Sequence, residues 1–150
     1  MLKIYNTDIE TNRIEEIKEF KKGSWISLVN PSEAEIRKVC ENVNIQEDFI
    51  RDALDYEEKA RIDMEEDDGT ILFIIDVPII EKNEENDIYT TMPLGMIVVR
   101  DDFFITVSLK KNKIIEDFEK RKPGQAAFAN RNCAFWNQLF YLWPDLFVPW

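Results

Sequence analysis

Histidine is missing from all 150 positions, and glycine occurs only four times. The first absence removes the side chain that titrates near neutral pH, and with it His-based triads and His-ligated zinc. The second leaves little material for phosphate-cradling loops, and no GxGxxG, P-loop or GxSxG pattern occurs. The two cysteines, Cys40 and Cys133, stand alone without CxxC spacing, so neither a thiolate metal site nor a disulfide framework is implied, and two isolated thiols fit a reducing compartment. The opening Met1-Leu2-Lys3-Ile4-Tyr5-Asn6 lacks the charged-then-apolar layout of a signal peptide. No run approaches the roughly 18 apolar residues that cross a bilayer, so no membrane span is expected.

Basic residues are also short. Thirty acids face nineteen bases, a formal net charge of -11. Such a surface repels nucleic-acid backbones and anionic lipid headgroups and attracts cations. The 45% hydrophobic and 33% charged composition is that of a globular chain with one core.

The periodicities alternate between strand and helix. Leu2–Tyr5 and Arg13–Ile17 read as an opening hairpin around Asn6-Thr7-Asp8. Trp25–Val29 is a compact apolar run, a buried strand anchored by Trp25. Pro31 is expected in the first turn of a helix, with Ser32 and Glu35 at capping-box spacing and Ile36, Val39, Cys40 and Val43 forming one apolar stripe. That stripe makes Cys40 a packing residue. A second helix is expected from Gln46 to about Tyr56, burying Phe49, Ile50, Ala53 and Leu54. On its other side Asp48, Asp52 and Asp55 fall at i, i+4, i+7, which places three carboxylates along one edge. Arg61–Glu65, a turn at Asp67-Asp68-Gly69, and Thr70–Ile80 follow. The last is apolar on both faces and reads as a central strand. Met92–Val99, with Pro93 near its start, and Phe103–Leu109 supply two more strands, joined by a turn at Asp101-Asp102. A helix carrying Ile114, Ile115 and Phe118 closes before Pro123-Gly124.

Residues 126–150 break this pattern. They contain two charged residues, Arg131 and Asp145, and three of the four tryptophans, Trp136, Trp143 and Trp150. Cys133–Trp143 has the spacing of an apolar helix. A segment of this composition is expected to pack against something.

The densest chemical signal is acidic. Ten carboxylates, from Asp48 to Asp68, fall within 21 positions, and oxygen ligands of this kind suit Mg²⁺ and Ca²⁺. Asp63–Gly69 has part of the layout of a calcium loop, but Asp68 stands where glycine is required and the twelfth position lacks glutamate. For any one of these acids a solvated surface role is the simpler reading. No carboxylate pair stands apart as an acid/base couple, and an enzyme is not expected.

The ordered set Trp25-Ile26-Ser27-Leu28-Val29-Asn30-Pro31-Ser32-Glu33, Phe49-Ile50-Arg51-Asp52-Ala53-Leu54-Asp55, Tyr56–Ile62, Ile71–Val77, Thr91–Val99 and Phe103–Ser108 resembles the N-terminal cytoplasmic domain of the CorA-like divalent-cation (Mg²⁺) transporters. The resemblance covers residues 1–125 and leaves 126–150 as an atypical C-terminal segment. It implies an α/β (α+β) fold: an αβα layered domain with a mixed β-sheet flanked by helices. It also implies a regulatory, cation-sensing role on the cytoplasmic side of a metal ion transport protein in the cell membrane, assembled in the family as a homopentamer. The family's regulatory site uses an aspartate at the position of Asp52, preceded here by Arg51 where the family is often acidic. The resulting expectation is a weak regulatory Mg²⁺ site at Asp52 with Asp55 and Asp48, completed by a stalk helix. The pore helices and their Gly-Met-Asn signature are not in this sequence, so it is not expected to conduct ions by itself. The alternative expectation is a protein-interaction or oligomerisation module without metal sensing, using its aromatic end.

Overall fold

A computed structural model describes residues 1–8, 13–82, 87–100 and 102–120. Seven strands form one mixed sheet: β1 (Leu2–Asp8), β2 (Arg13–Ile17), β3 (Ser24–Val29), β4 (Arg61–Met64), β5 (Ile71–Lys82), β6 (Asp87–Val99) and β7 (Phe103–Ser108). Their spatial order is β2-β1-β3-β7-β6-β5-β4. Only β3 and β7 pair in parallel, with Ile26 opposite Ile105; the other neighbours are antiparallel. The helices are α1 (Glu33–Val43), α2 (Glu47–Asp52) and α3 (Lys113–Glu119).

Strand alternation divides the core between the two sheet faces. Ile26, Leu28, Leu72, Ile74, Ile97, Val99, Ile105 and Val107 meet Ile36, Val39, Cys40 and Val43 of α1 and Ile50 of α2. On the reverse face Trp25, Val77, Met92, Leu94 and Met96 meet Ile115 and Phe118 of α3. The domain is therefore an αβα sandwich with a mixed sheet, as the resemblance implied. Trp25 is a core anchor: it is 2% exposed, stacks on Tyr5 at 4.8 Å and donates its indole N–H to Thr106 Oγ1 at 3.0 Å.

Helix α1 starts on the expected capping box. The Ser32 hydroxyl accepts from the Glu35 N–H at 3.3 Å, and the Glu35 carboxylate accepts from the Ser32 N–H at 2.9 Å and from the Leu2 N–H at 2.8 Å. Pro31 lies outside the helix, before the Ser32 cap, because the cap itself takes the non-helical position. At the other end Asn44 adopts a left-handed conformation (φ 58°). Arg100, in the β6–β7 turn, donates to the Val43 and Asn44 carbonyls at 3.0 and 3.2 Å, which neutralises the negative end of the helix.

Several boundaries differ from expectation. Asn6, Thr7 and Asp8 are strand residues paired with Glu15, Ile14 and Arg13, so the hairpin turn lies later than predicted. β5 is not central but next to the β4 edge, and β4 accompanies it only over Ile71–Ile74. β7 pairs with β6 only from Leu94 onward. Residues 75–82 and 87–93 therefore extend as a two-stranded arm, running past the strand ends expected at Ile80 and Met92. Pro78 and Pro93 sit in that arm, where one neighbour has run out and a missing N–H breaks no ladder. The expected helix at Cys133–Trp143 lies outside the described residues.

Candidate functional site

Helix α2 ends at Asp52 rather than near Tyr56, because Ala53 is drawn onto the sheet. Ala53 is fully buried and lies against Gly95 of β6; a methyl group on Gly95 would overlap the Ala53 side chain. Glycine at 95 is what lets α2 approach the strand. The chain then turns through Leu54 and Asp55, whose N–H groups bond the Arg51 and Asp52 carbonyls at 3.0 and 3.2 Å. Asp55 is thus outside the helix, and the three-carboxylate edge expected from i, i+4, i+7 spacing does not form. Asp48 is exposed on α2. The Asp55 carboxylate accepts from the Glu57 N–H at 3.0 Å, capping its own turn.

Asp52 is half-buried and ion-paired. Its Oδ2 accepts from Arg61 Nη2 at 2.6 Å. The same guanidinium bonds Asp63 Oδ2 through Nε at 2.5 Å and the Glu58 carboxylate through Nη1. Glu58 is held below the usual carboxylate range by its bond to Arg61. Arg61 in turn is held firmly charged by Glu58 first and then Asp63. Because the planar fork spreads its donors around a rim, the three carboxylates surround one cation without sharing a point. Among the described residues no three His, Cys, Asp or Glu side chains gather as a metal group. Asp52, Glu58 and Asp63 suit a hard cation chemically, but each of them bonds Arg61.

Arg51 makes a second bridge. It donates to Glu33 Oε2 of α1 and to Glu47 Oε2 of α2, both at 2.7 Å, tying the two helices together. The Glu33 carboxyl is held low by that bond. Sequence reading singled out Asp52 and noted Arg51 beside it; it did not identify Arg61 as the hub. The available signal was an arginine between Glu58 and Asp63, where Lys59 is the other base, nine positions after Asp52 and at the start of a strand.

Cys40 is buried in the α1 stripe, and burial, with Glu47 nearby, pushes its thiol up to about 11. It is a packing residue, not a nucleophile. In the former calcium-loop stretch the Asp68 carboxylate accepts from the Thr70 N–H at 2.8 Å, and Gly69 takes φ 72°, an ordinary tight turn.

Together these features define an acidic αβα domain whose carboxylate clusters are organised around arginines. Residues 20–135 match the model of the family described as CorA-like Mg2+ transporter protein, and the chain belongs to that family, one of transporters rather than enzymes. The complete structure of the CorA magnesium transporter from Methanocaldococcus jannaschii is similar at TM-score 0.63 and 24% identity over 80% of this chain and 36% of that one. The soluble domain of CorA from the same organism is similar at TM-score 0.66 and 21% identity, over 84% of this chain and 49% of that one. The chain thus spans less than half the length of either. Comparison with curated proteins gave no match. Among the described residues no helix is long and apolar enough to cross a membrane.

Proposed function

We propose that this chain is the regulatory, cation-sensing domain of a CorA-like Mg²⁺ transport protein. The domain stands on the cytoplasmic side of a parent that resides in the cell membrane and works as a homo-oligomer, a pentamer as in the family. The observation that carries this reading is the family match across residues 20–135 on a matching αβα fold. Asp52 is the sensing residue. It sits at the end of α2 with 41% of its side chain open to solvent, so a carboxylate from a neighbouring subunit can approach it. A Mg²⁺ ion there would keep most of its water and take one or two carboxylates; Asp48 and Asp55, both exposed, add to the local negative field. Binding requires Asp52 to exchange Arg61 for the ion, and that exchange sets a low affinity, on the order of millimolar for so sparse an oxygen site. It becomes a switch if subunit arrangements differ in affinity for the ion.

The test is the melting temperature of the chain in rising Mg²⁺, with calorimetry alongside. At tenfold excess over the dissociation constant a single site stabilises by about 1.4 kcal/mol, roughly 3–5 °C for a domain of this size. Asp52→Ala should abolish the shift. A flat response in the parent chain up to tens of millimolar Mg²⁺ would remove the sensing role.

Arg61 itself favours a second reading, an interaction module in which the acids are permanently neutralised and metal plays no part. Under it, Mg²⁺ moves neither melting temperature nor mass, and removing residues 126–150 abolishes self-association.

A further inference from the structure

The β5–β6 arm is held at its inner end by the core and at its outer end by polar straps. Val77 and Met92 are buried on the α3 face. Farther out, β4 accompanies β5 no farther than Ile74, and β7 accompanies β6 no farther than Leu94. Side chains take over there. Lys110, just after β7, donates to Glu81 Oε1 at 2.5 Å. Tyr56, in the turn that follows α2, donates its hydroxyl to the Thr91 carbonyl at 3.1 Å and stands 3.4 Å from Thr90 Oγ1. A solvent-exposed hydrogen bond of this kind is a weak fastening, and Tyr56 is 51% exposed. The outer arm carries Ile80 and Tyr89, exposed and opposite each other. Its position therefore depends on where the turn holds Tyr56.

Arg61 closes that turn. Its guanidinium bonds Asp52 at one end through Nη2 at 2.6 Å, and the Glu58 carboxylate at the other through Nη1. Between them the Asp55 and Glu58 N–H groups bond the Asp52 and Asp55 carbonyls, both at 3.2 Å. Tyr56 lies inside the closed turn, so an unbroken set of contacts runs from Asp52 through Arg61, Glu58 and Tyr56 to Thr91. We propose that Arg61 and Tyr56 form a latch coupling the Asp52 cluster to the arm. Drawing Asp52 away from Arg61 opens the turn over residues 52–58, Tyr56 leaves Thr91, and the outer arm comes free. The trigger, a cation taken by Asp52, rests on the cation-sensing reading; the latch does not. Coupling of this kind is reciprocal, so releasing the arm at Tyr56 tightens cation binding at Asp52.

Hydrogen exchange in the full chain, read at the backbone amides of residues 80–82 and 87–91, tests the latch without any metal. Tyr56→Phe removes one hydroxyl and keeps the ring, so the fold should be retained. Exchange in the outer arm should rise roughly two- to tenfold, the range of one hydrogen bond's net contribution, while the amides of β3 and β7 stay as in the parent chain. Arg61→Gln should give a similar rise, although its side chain bonds Asp52, Glu58 and Asp63 and no residue of the arm. The double variant should add little to either, as expected of two changes in one connected path. Lys110→Gln, which frees the other strap, should add to both. Millimolar Mg²⁺ should loosen the arm of the parent chain in the same way, and calorimetry should find its dissociation constant roughly two- to tenfold lower in Tyr56→Phe. Parent-like exchange of the arm in Arg61→Gln, or full additivity in the double variant, would overturn the latch. Mg²⁺ binding that leaves the arm unmoved would overturn the coupling alone. Absence of Mg²⁺ binding would overturn the cation reading and the trigger with it, and the metal-free variants would still decide the latch.

Discussion

The two faces of the sheet are closed by different means. On the α1–α2 face the helices are fixed by a capping box, by the Gly95–Ala53 approach, by Arg100 on the α1 carbonyls and by Arg51 bridging Glu33 and Glu47. On the α3 face one short helix relies on Trp25, Tyr5 and Phe118. The difference separates order from coverage. The first face is geometrically specified and carries the charged network; the second is apolar and, among the described residues, has less helix over it.

Matched isoleucine substitutions probe this contrast most strongly. Ile50 and Ile115 are 0% and 4% exposed, so the lost transfer energy is nearly equal, and any difference reports how far each site relaxes around the void. Ile50→Ala should cost about 4 kcal/mol and Ile115→Ala about 2 kcal/mol, within the range for buried isoleucine. Equal losses in denaturant titrations would break the comparison.

Gly95 sharpens it next. Gly95→Ala forces α2 off the strand and should cost about 2 kcal/mol, as overpacking does, lowering the melting temperature by roughly 4–8 °C. Ala53→Gly in the same chain should recover part of that loss, since it removes the atom in conflict. Absence of rescue would show that the approach of α2 is not set at this contact.

How much of this was legible beforehand depends on whether the signal is local. The capping box, the α1 stripe and Trp25 follow from neighbours three or four positions apart, and each was readable. The end of α2 was not, because nothing in residues 46–56 indicates that Ala53 meets a glycine forty-two positions later. The carboxylate edge failed for the same reason: i, i+4, i+7 spacing has meaning only while the helix lasts. Arg61 was hidden because its three partners come from a helix end, a turn and its own strand. The arm of β5 and β6 was under-read because polar Glu81 and Lys82 look like loop, while pairing with Asp87 and Ile88 keeps them extended.

Arg61→Gln addresses the charged network directly. Two of its three partners are more than a third exposed, so the stability lost should be only about 1 kcal/mol. The more informative result is the response to Mg²⁺. Asp52, Glu58 and Asp63 lose their resident cation, and the melting shift per millimolar Mg²⁺ should increase over the parent chain. An unchanged or smaller shift would mean that Arg61 does not compete with the ion.

The smallest effect is the dependence of stability on pH, where the bridged carboxylates act with one sign and the buried phenol and thiol with the other. Glu33 and Glu58, on the α1–α2 side, have folded-state pKa values lowered by Arg51 and Arg61. Their contribution is complete above the unfolded carboxylate value of about 4.3 and fades as pH falls through the lower folded value. The acid limb should therefore begin near that point and flatten in the double variant Arg51→Gln, Arg61→Gln. Tyr5, on the α3 side, is raised by burial and by Glu119. It stabilises fully below the unfolded phenol value of about 10, and that contribution is lost as pH rises beyond it. Cys40, on the α1 face, likewise stabilises fully below the free-thiol value of about 8.5, and that contribution is lost as pH rises from there to about 11. Melting curves from pH 3 to 11 on Tyr5→Phe and Cys40→Ala should divide the alkaline limb, Cys40→Ala removing its lower part and Tyr5→Phe its upper. An acid limb that survives loss of both arginines would show that the carboxylates are stabilised by something other than the bridges that distinguish the α1–α2 face.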